Sequence, residues 1–265
     1  MIKESKIATI LPYKENYTLS KAQAAAIWVN DFFKYSTYRK NNFIFGNTDT
    51  KDYLTKNYIN VDLNKKSSKF SSTTNEYCDN FIKINYKYNF DIIEIHNRPI
   101  MVEDFVNNIS SKIILYLHND PKTMKGAKTK SEKLFLLENV DKIVFISEWV
   151  KKQFFSNLDF SDHNKTEVIY HSIDPIKKLS KKKKQIIFVG KLNEAKGYDL
   201  FCEAVDKVLD KHDNWKAFSI GDEKRFQEYY TNKNQINLGL LNNKKVLKIF
   251  QESEIAVIPS RWDEP

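Results

Sequence analysis

Short apolar runs, each separated from the next by a helix-sized segment, set the limits on how this chain can fold. Residues 7–11 form one such run, stopped by Pro12. Residues 43–46, 91–95, 113–117, 142–146 and 167–170 form others. After the first, Ala22, Ala25, Ala26, Val29, Phe32 and Phe33 fall on one face at helical spacing, with Ser20 as a fair N-cap. Residues 48–72 are polar and hard to place. They read as a surface loop before a helix capped by Thr73 or Thr74, with Phe81, Ile82 and Tyr86 facing inward. Strands alternating with helices predict a parallel sheet covered on both faces, an α/β doubly wound fold. Ligands in such sheets sit beyond the C-terminal ends of the strands. That position is held by His96, Asn97 and Arg98 after one run, His118 and Asn119 after the next, and Ser147 after a third. For His118 a capping or loop-ordering role is the plainer alternative, and Ser147 also reads as a helix cap.

The rhythm breaks once. Pro175, Lys177, Lys178 and the four lysines 181–184 read as a solvated linker, because like charges so close repel. The chain therefore divides into a first domain at 1–174, a linker at 175–184 and a second domain at 185–265. In the second, residues 186–189 form a strand that Gly190 ends. Leu200, Phe201, Ala204, Val205, Val208 and Leu209 give the next helix its apolar face. Further strands end at Gly221, Gly239 and Pro259. Lys191 and Lys196 stand beside a helix start, where backbone amides attract anions. That combination suits a diphosphate, although an ordinary strand–helix unit with solvated lysines looks the same. About 80 residues follow the linker, few for a domain of this type, so the second domain is expected to be incomplete.

The formal net charge of +9 admits polyanionic partners: phosphorylated substrates, an anionic membrane face or nucleic acid. The lysine run reads as a hinge in preference to a nucleic-acid surface. No stretch approaches the roughly 18 apolar residues of a membrane span. The N-terminal MIKESKIATILPYKEN lacks the core and cleavage site of a signal peptide. Cys78 and Cys202 make no disulfide framework. A cytoplasmic protein, peripheral at most to the membrane, is expected.

Several stretches are specific. FVGKLNEAKGYDLFCEAV (188–205), IGD (220–222) and GLLNNKKVLKIFQESEIAVIPSRWDEP (239–265) follow EIHNRP, LYLHNDP, IVFISEWVKKQF and VIYHSID upstream. Together they resemble the motifs of family 4 glycosyltransferases, most of all bacterial members that build lipopolysaccharide or other surface glycans. The resemblance covers most of the chain and is weakest over 48–90. It implies the GT-B fold of two Rossmann-like domains. It also implies a retaining transfer from a nucleotide-diphosphate sugar to a saccharide or lipid-linked acceptor, with no metal or further cofactor.

By the same resemblance, Gly190, Lys191, Lys196 and Gly221 belong to donor binding, with the lysines on the diphosphate. Glu264 is the first glutamate of a Glu–seven residues–Glu motif, placing it in donor binding and catalysis. The second glutamate would lie beyond Pro265, so this chain alone is expected to turn over little or not at all. His118 lies by the transferred sugar in the family, as a catalytic group. His96, Asn97, Arg98, Asn119 and Ser147 fall on the acceptor or interdomain side. Three departures stand out: Lys191 replaces an arginine, His171-Ser172-Ile173-Asp174 replaces NG-(V/I)-D, and TLSKA at 18–22 lacks the family's glycines. Two other functions stay open: a sugar-nucleotide epimerase of the same architecture, and an inactive basic module on an anionic membrane.

Overall fold

A computed structural model describes residues 5–63, 72–173, 180–222 and 232–262. The chain divides into two compact units, 1–174 and 175–264.

In the first unit the six apolar runs, with one further short segment, become seven parallel strands among the described residues. They are β1 (Ile7–Ile10), β2 (Asn42–Gly46), β3 (Tyr58–Asn60), β4 (Ile92–His96), β5 (Lys112–Leu117), β6 (Lys142–Phe145) and β7 (Thr166–Val168). The sheet order is β3-β2-β1-β4-β5-β6-β7. It reverses direction at β1, whose two neighbours are β2 and β4. Five helices connect the strands: α1 (Ala24–Tyr35), α2 (Thr73–Tyr88), α3 (Val102–Asn108), α4 (Lys130–Asn139) and α5 (Glu148–Phe155). One core cluster contains Phe45, Phe81, Phe105, Leu115 and Phe145. A second is aromatic, built from Tyr17, Trp28, Tyr58 and Tyr116. β-Branched and aromatic side chains fill such doubly covered strands almost continuously, which is why these read as solid apolar runs.

Lys133 is the unusual core member. It is fully buried, and its ammonium donates to Asn157 Oδ1 at 2.6 Å and to the Gln153 carbonyl at 3.3 Å, over the ring of Phe154. These contacts tie α4 to the end of α5. Lys133→Ala should cost about 2–4 kcal/mol, since it opens a cavity in the core and removes the ammonium's bonds to Asn157 and Gln153. Lys133→Met, which refills the space, should recover part of that in a urea melt. Equal midpoints for Lys133→Ala and the unaltered protein would refute this.

The second unit repeats the scheme. Strands β8 (Lys183–Val189), β9 (Lys216–Ile220), β10 (Gln235–Asn237) and β11 (Ser253–Ala256) pair in the parallel order β10-β9-β8-β11. Helices α6 (Tyr198–Leu209) and α7 (Asn243–Glu252) connect them. Its core is Ile186, Phe188, Tyr198, Phe201, Cys202, Val205, Leu209 and Ala217.

Several local readings change. The last lysines of the supposed linker are structural: Lys183 and Lys184 belong to β8, and Lys182 donates to the Ser253 carbonyl at 2.8 Å. Residues 175–179 lie outside the described residues. α1 starts at Ala24 with Gln23 in the N-cap position, so Ser20 lies too far upstream to cap it; the Ser20 amide is bonded to the Asp52 carboxylate at 3.0 Å. The α1 start is served by Glu15, which accepts from the Ala26 amide at 3.0 Å. Ser72 caps α2, in place of Thr73 or Thr74. Tyr86 points outward, 70% exposed. Leu200 and Val208 likewise stay exposed on α6.

Candidate functional site

In the first unit the candidates gather where β4 and β5 end. Asn97 adopts a left-handed conformation, φ 56°, which asparagine tolerates better than most residues. Its amide donates to the Tyr116 carbonyl at 2.8 Å, and its Oδ1 accepts from the His118 amide at 3.2 Å. One residue thus fixes the two strand ends side by side and sets His96 beside His118. His96 Nδ1 lies 3.0 Å from His118 Nε2, and His118 Nδ1 lies 3.2 Å from His171 Nε2. Both ring nitrogens of His118 are therefore spent on other histidines. His96 and His118 are buried, and His171 is exposed.

Trp28 of α1 packs on all three rings, with centroids 5.4, 5.0 and 4.9 Å away, and Tyr116 stacks on His96 at 4.5 Å. Burial, with repulsion from the neighbouring rings, pushes the pKa of His96 well down; His118 falls to about 3 for the same reasons. The covered side of the His171 ring, turned toward its neighbours, lowers its pKa by partial desolvation too. All three rings are neutral near pH 7. On the same face of β4, two residues before His96, Glu94 accepts from Thr9 Oγ1 at 2.7 Å, and burial raises its pKa.

Next to these strand ends lies an open cleft of about 830 Å3. Asn97, Arg98 and the exposed Asn119 line it, with Lys14, Glu15 and Lys125. The Arg98 guanidinium sits over the Tyr13 ring at 5.3 Å, and its Nε is buried without a hydrogen-bond partner. Ser147 plays a structural part, since its hydroxyl accepts from the Val150 amide at 3.2 Å and caps α5. The TLSKA loop holds its amides internally. Leu19 and Ser20 donate to Asp52, and Lys21 donates to Thr18 Oγ1.

In the second unit the candidates meet at the end of β8. Gly190 and Gly221 close neighbouring strands, and a Cβ on Gly221 would lie 1.8 Å from the Gly190 carbonyl oxygen. Only glycine permits that approach. Lys191 is exposed. Lys196 closes a 3-10 turn, Glu194–Lys196, whose start is capped by Asn193 Oδ1 accepting from the Lys196 amide at 3.1 Å. Gly197, φ 70°, leads directly into α6. The segment after β11 folds back onto this turn. The Arg261 amide donates to the Ala195 carbonyl at 3.0 Å, and its guanidinium grips Asp199 through both nitrogens at 2.7 and 2.6 Å. Glu264 lies outside the described residues. Among the described residues no group of three or more histidine, cysteine or carboxylate side chains is arranged to hold a metal ion. No described helix is long and apolar enough to cross a membrane.

Trp28, Tyr116, His171, Asp199 and Arg261 join these sites, and the sequence marks none of them as a site residue. His171 is visible there only as a motif departure, and Arg261 only as one letter of PSRWDEP. Trp28 carries no signal of its own in a helix already rich in apolar residues.

Comparison with known proteins bears on both units. Residues 171–265 match the family model described as glycosyl transferases group 1. YtcC of Bacillus subtilis strain 168, provisionally assigned as a glycosyltransferase, is 26% identical over 212 residues, covering 66% of this chain and 51% of its own. An uncharacterised 41.2 kDa protein from the cps region of Klebsiella pneumoniae is 25% identical, over 67% and 56% of the two chains. The chain spans about half the length of the curated relatives it matches. Among solved structures, Anabaena HepE in complex with UDP and glucose superposes with a TM-score of 0.71 at 13% identity, covering 98% of this chain and 76% of its own. Sucrose-phosphate synthase from Thermosynechococcus elongatus gives 0.70 at 12%, covering 98% and 77%. These two likenesses speak to fold: two Rossmann-like domains of the GT-B type. Residues 171–265 of this chain thus match the glycosyl transferases group 1 model, and the chain has a GT-B fold.

Proposed function

We propose that the protein is a retaining glycosyltransferase that moves a sugar from a nucleotide-diphosphate donor to a saccharide or lipid-linked acceptor in surface-glycan assembly. The observation that carries this reading is the loop after β8. Two strand-end glycines let the ends of β8 and β9 approach closely, and the loop that follows carries Lys191 and, in a turn pinned by Arg261, Lys196. Departure of a nucleotide diphosphate develops negative charge on phosphate oxygens. Lys191, Lys196 and the amides leading into α6 supply fixed positive potential to that charge. The reaction then needs no metal. The HepE structure, which holds UDP and glucose, agrees with such a donor.

The acceptor belongs to the cleft of the first unit, where Arg98, Asn119, Lys125 and Glu15 offer a mixed set of donors and acceptors to a polyhydroxyl compound. With a net charge of +9 the protein would work at the cytoplasmic face of an anionic membrane, held by charge.

Calorimetric titration with a panel of nucleotide-diphosphate sugars tests the donor site. Lys196→Ala should weaken binding 10- to 100-fold, about 1.4–3 kcal/mol, with a smaller loss for Lys191→Ala. Undiminished affinity in both variants would remove the loop from donor binding.

A further inference from the structure

We propose that His96, His118 and His171 form one hydrogen-bonded relay in which His171, not His118, is the outward end, and in which the proton position on His171 sets the tautomer of the two buried rings. The geometry leaves little choice. A neutral imidazole has one N–H and one bare nitrogen. His118 places one nitrogen against His96 Nδ1 and the other against His171 Nε2. If His118 donates from Nδ1, then His171 accepts at Nε2 and carries its own proton on Nδ1. His118 Nε2 is then bare and accepts from His96 Nδ1. If His118 donates from Nε2 instead, every proton moves to the other nitrogen of its ring. Either way all three rings share one tautomer, and a mixed arrangement would set two N–H groups or two lone pairs face to face.

Exposure ranks the rings. His96 is 2% exposed and His118 6%, while His171 is open to solvent. The outer Nδ1 of His171 is therefore where the relay meets a ligand. A phosphate or hydroxyl oxygen that accepts there selects the N–H form, and a hydroxyl that donates selects the bare form. Trp28, in ring contact with all three, holds them in line. His171 is thus a positioning residue for the buried pair. The ligand's identity as a sugar or diphosphate group rests on the glycosyltransferase reading; the relay itself does not.

The test is long-range 1H–15N correlation of the histidine side chains in the whole labelled chain at pH 7.5. Five histidines keep the spectrum simple. His163 is an internal reference, because its Nδ1 accepts from the Lys165 amide and its proton is therefore on Nε2. Expected is the same protonated nitrogen in His96, His118 and His171. His171→Phe, which keeps the contact with Trp28, should move the ring nitrogens of both His118 and His96 toward the tautomer average. His171→Gln, able to donate or accept, should restore a single tautomer. Opposite tautomers in adjacent rings, or His96 and His118 signals indifferent to both substitutions, would overturn the relay. Addition of UDP-glucose reads the ligand separately. A shift that starts at His171 supports the donor reading. A shared tautomer that no nucleotide sugar disturbs keeps the relay and counts against that reading.

Discussion

Gly197→Ala should destabilise the second unit by about 3 kcal/mol or more, whereas Gly239→Ala should cost only about 1–2 kcal/mol. Both glycines have left-handed backbones, φ 70° and 65°, so the conformational penalty is common to the pair. They differ in what a methyl group would meet. At Gly197 the new carbon would lie 2.0 Å from the Pro259 carbonyl oxygen and 2.7 Å from its carbon. Those are backbone atoms and cannot rotate aside. At Gly239 nothing lies within 4 Å. To make room for the methyl group at position 197 the 259–261 segment must lift, breaking the Arg261 amide bond to Ala195 and the bidentate grip on Asp199. Hydrogen exchange of the β8 and α6 amides under mild urea would read the difference. Matched losses for the two substitutions would show that the packing of the 259–261 segment on the turn carries little weight. Donor affinity should fall with Gly197→Ala as well, because the lysine turn loses its support.

Acid is expected to unfold the first unit earlier than its carboxylates alone would require. The three linked histidines all have folded pKa values below the ordinary one near 6.5. Below that pH the unfolded chain binds protons that the folded chain refuses. Their stabilisation is therefore whole above about pH 6.5 and is lost as pH falls toward 3. For His118, with its pKa near 3, two pH units of unequal binding amount to about 3 kcal/mol at pH 4.5. Glu94 and Glu15, whose pKa values are raised by burial, act in the opposite sense and soften the slope. Urea midpoints measured from pH 7.5 to 4.5 test this. His118→Gln should start lower and then stay flatter across that range. An unchanged slope in that variant would mean that the ring protonates freely when folded.

The sheet architecture is readable because parallel strands buried on both faces leave solid apolar runs between helix-sized gaps. β3 leaves no such mark: Tyr58–Asn60 is three residues long inside a polar stretch, with Ile59 its one aliphatic residue. Helix starts mislead where a distant group takes the capping role, as Glu15 does for α1. In the candidate site, position at a strand end is enough to mark His96, Asn97 and His118. Their partnership is not legible, because it needs Asn97 in a left-handed turn and His171 brought from beyond β7. Arg98 and Asn119 do line a cleft, but Ser147 is committed to α5. Lys191 and Lys196 are marked by a turn that sequence shows directly, while the Arg261–Asp199 pair spans 62 residues and leaves no local trace.

That pair has a use for protein engineering. Arg261 returns the backbone to hydrogen-bonding distance of Ala195, so the chain from the end of the 3-10 turn to the residue after Ser260 leaves and re-enters at nearly the same place. A segment with coincident ends can be grafted as a cassette. Exchanging Leu200 through β11 for the corresponding piece of a relative, with Glu194–Asp199 and Arg261 retained, should transplant whatever that piece recognises and leave the lysine turn on its original anchor.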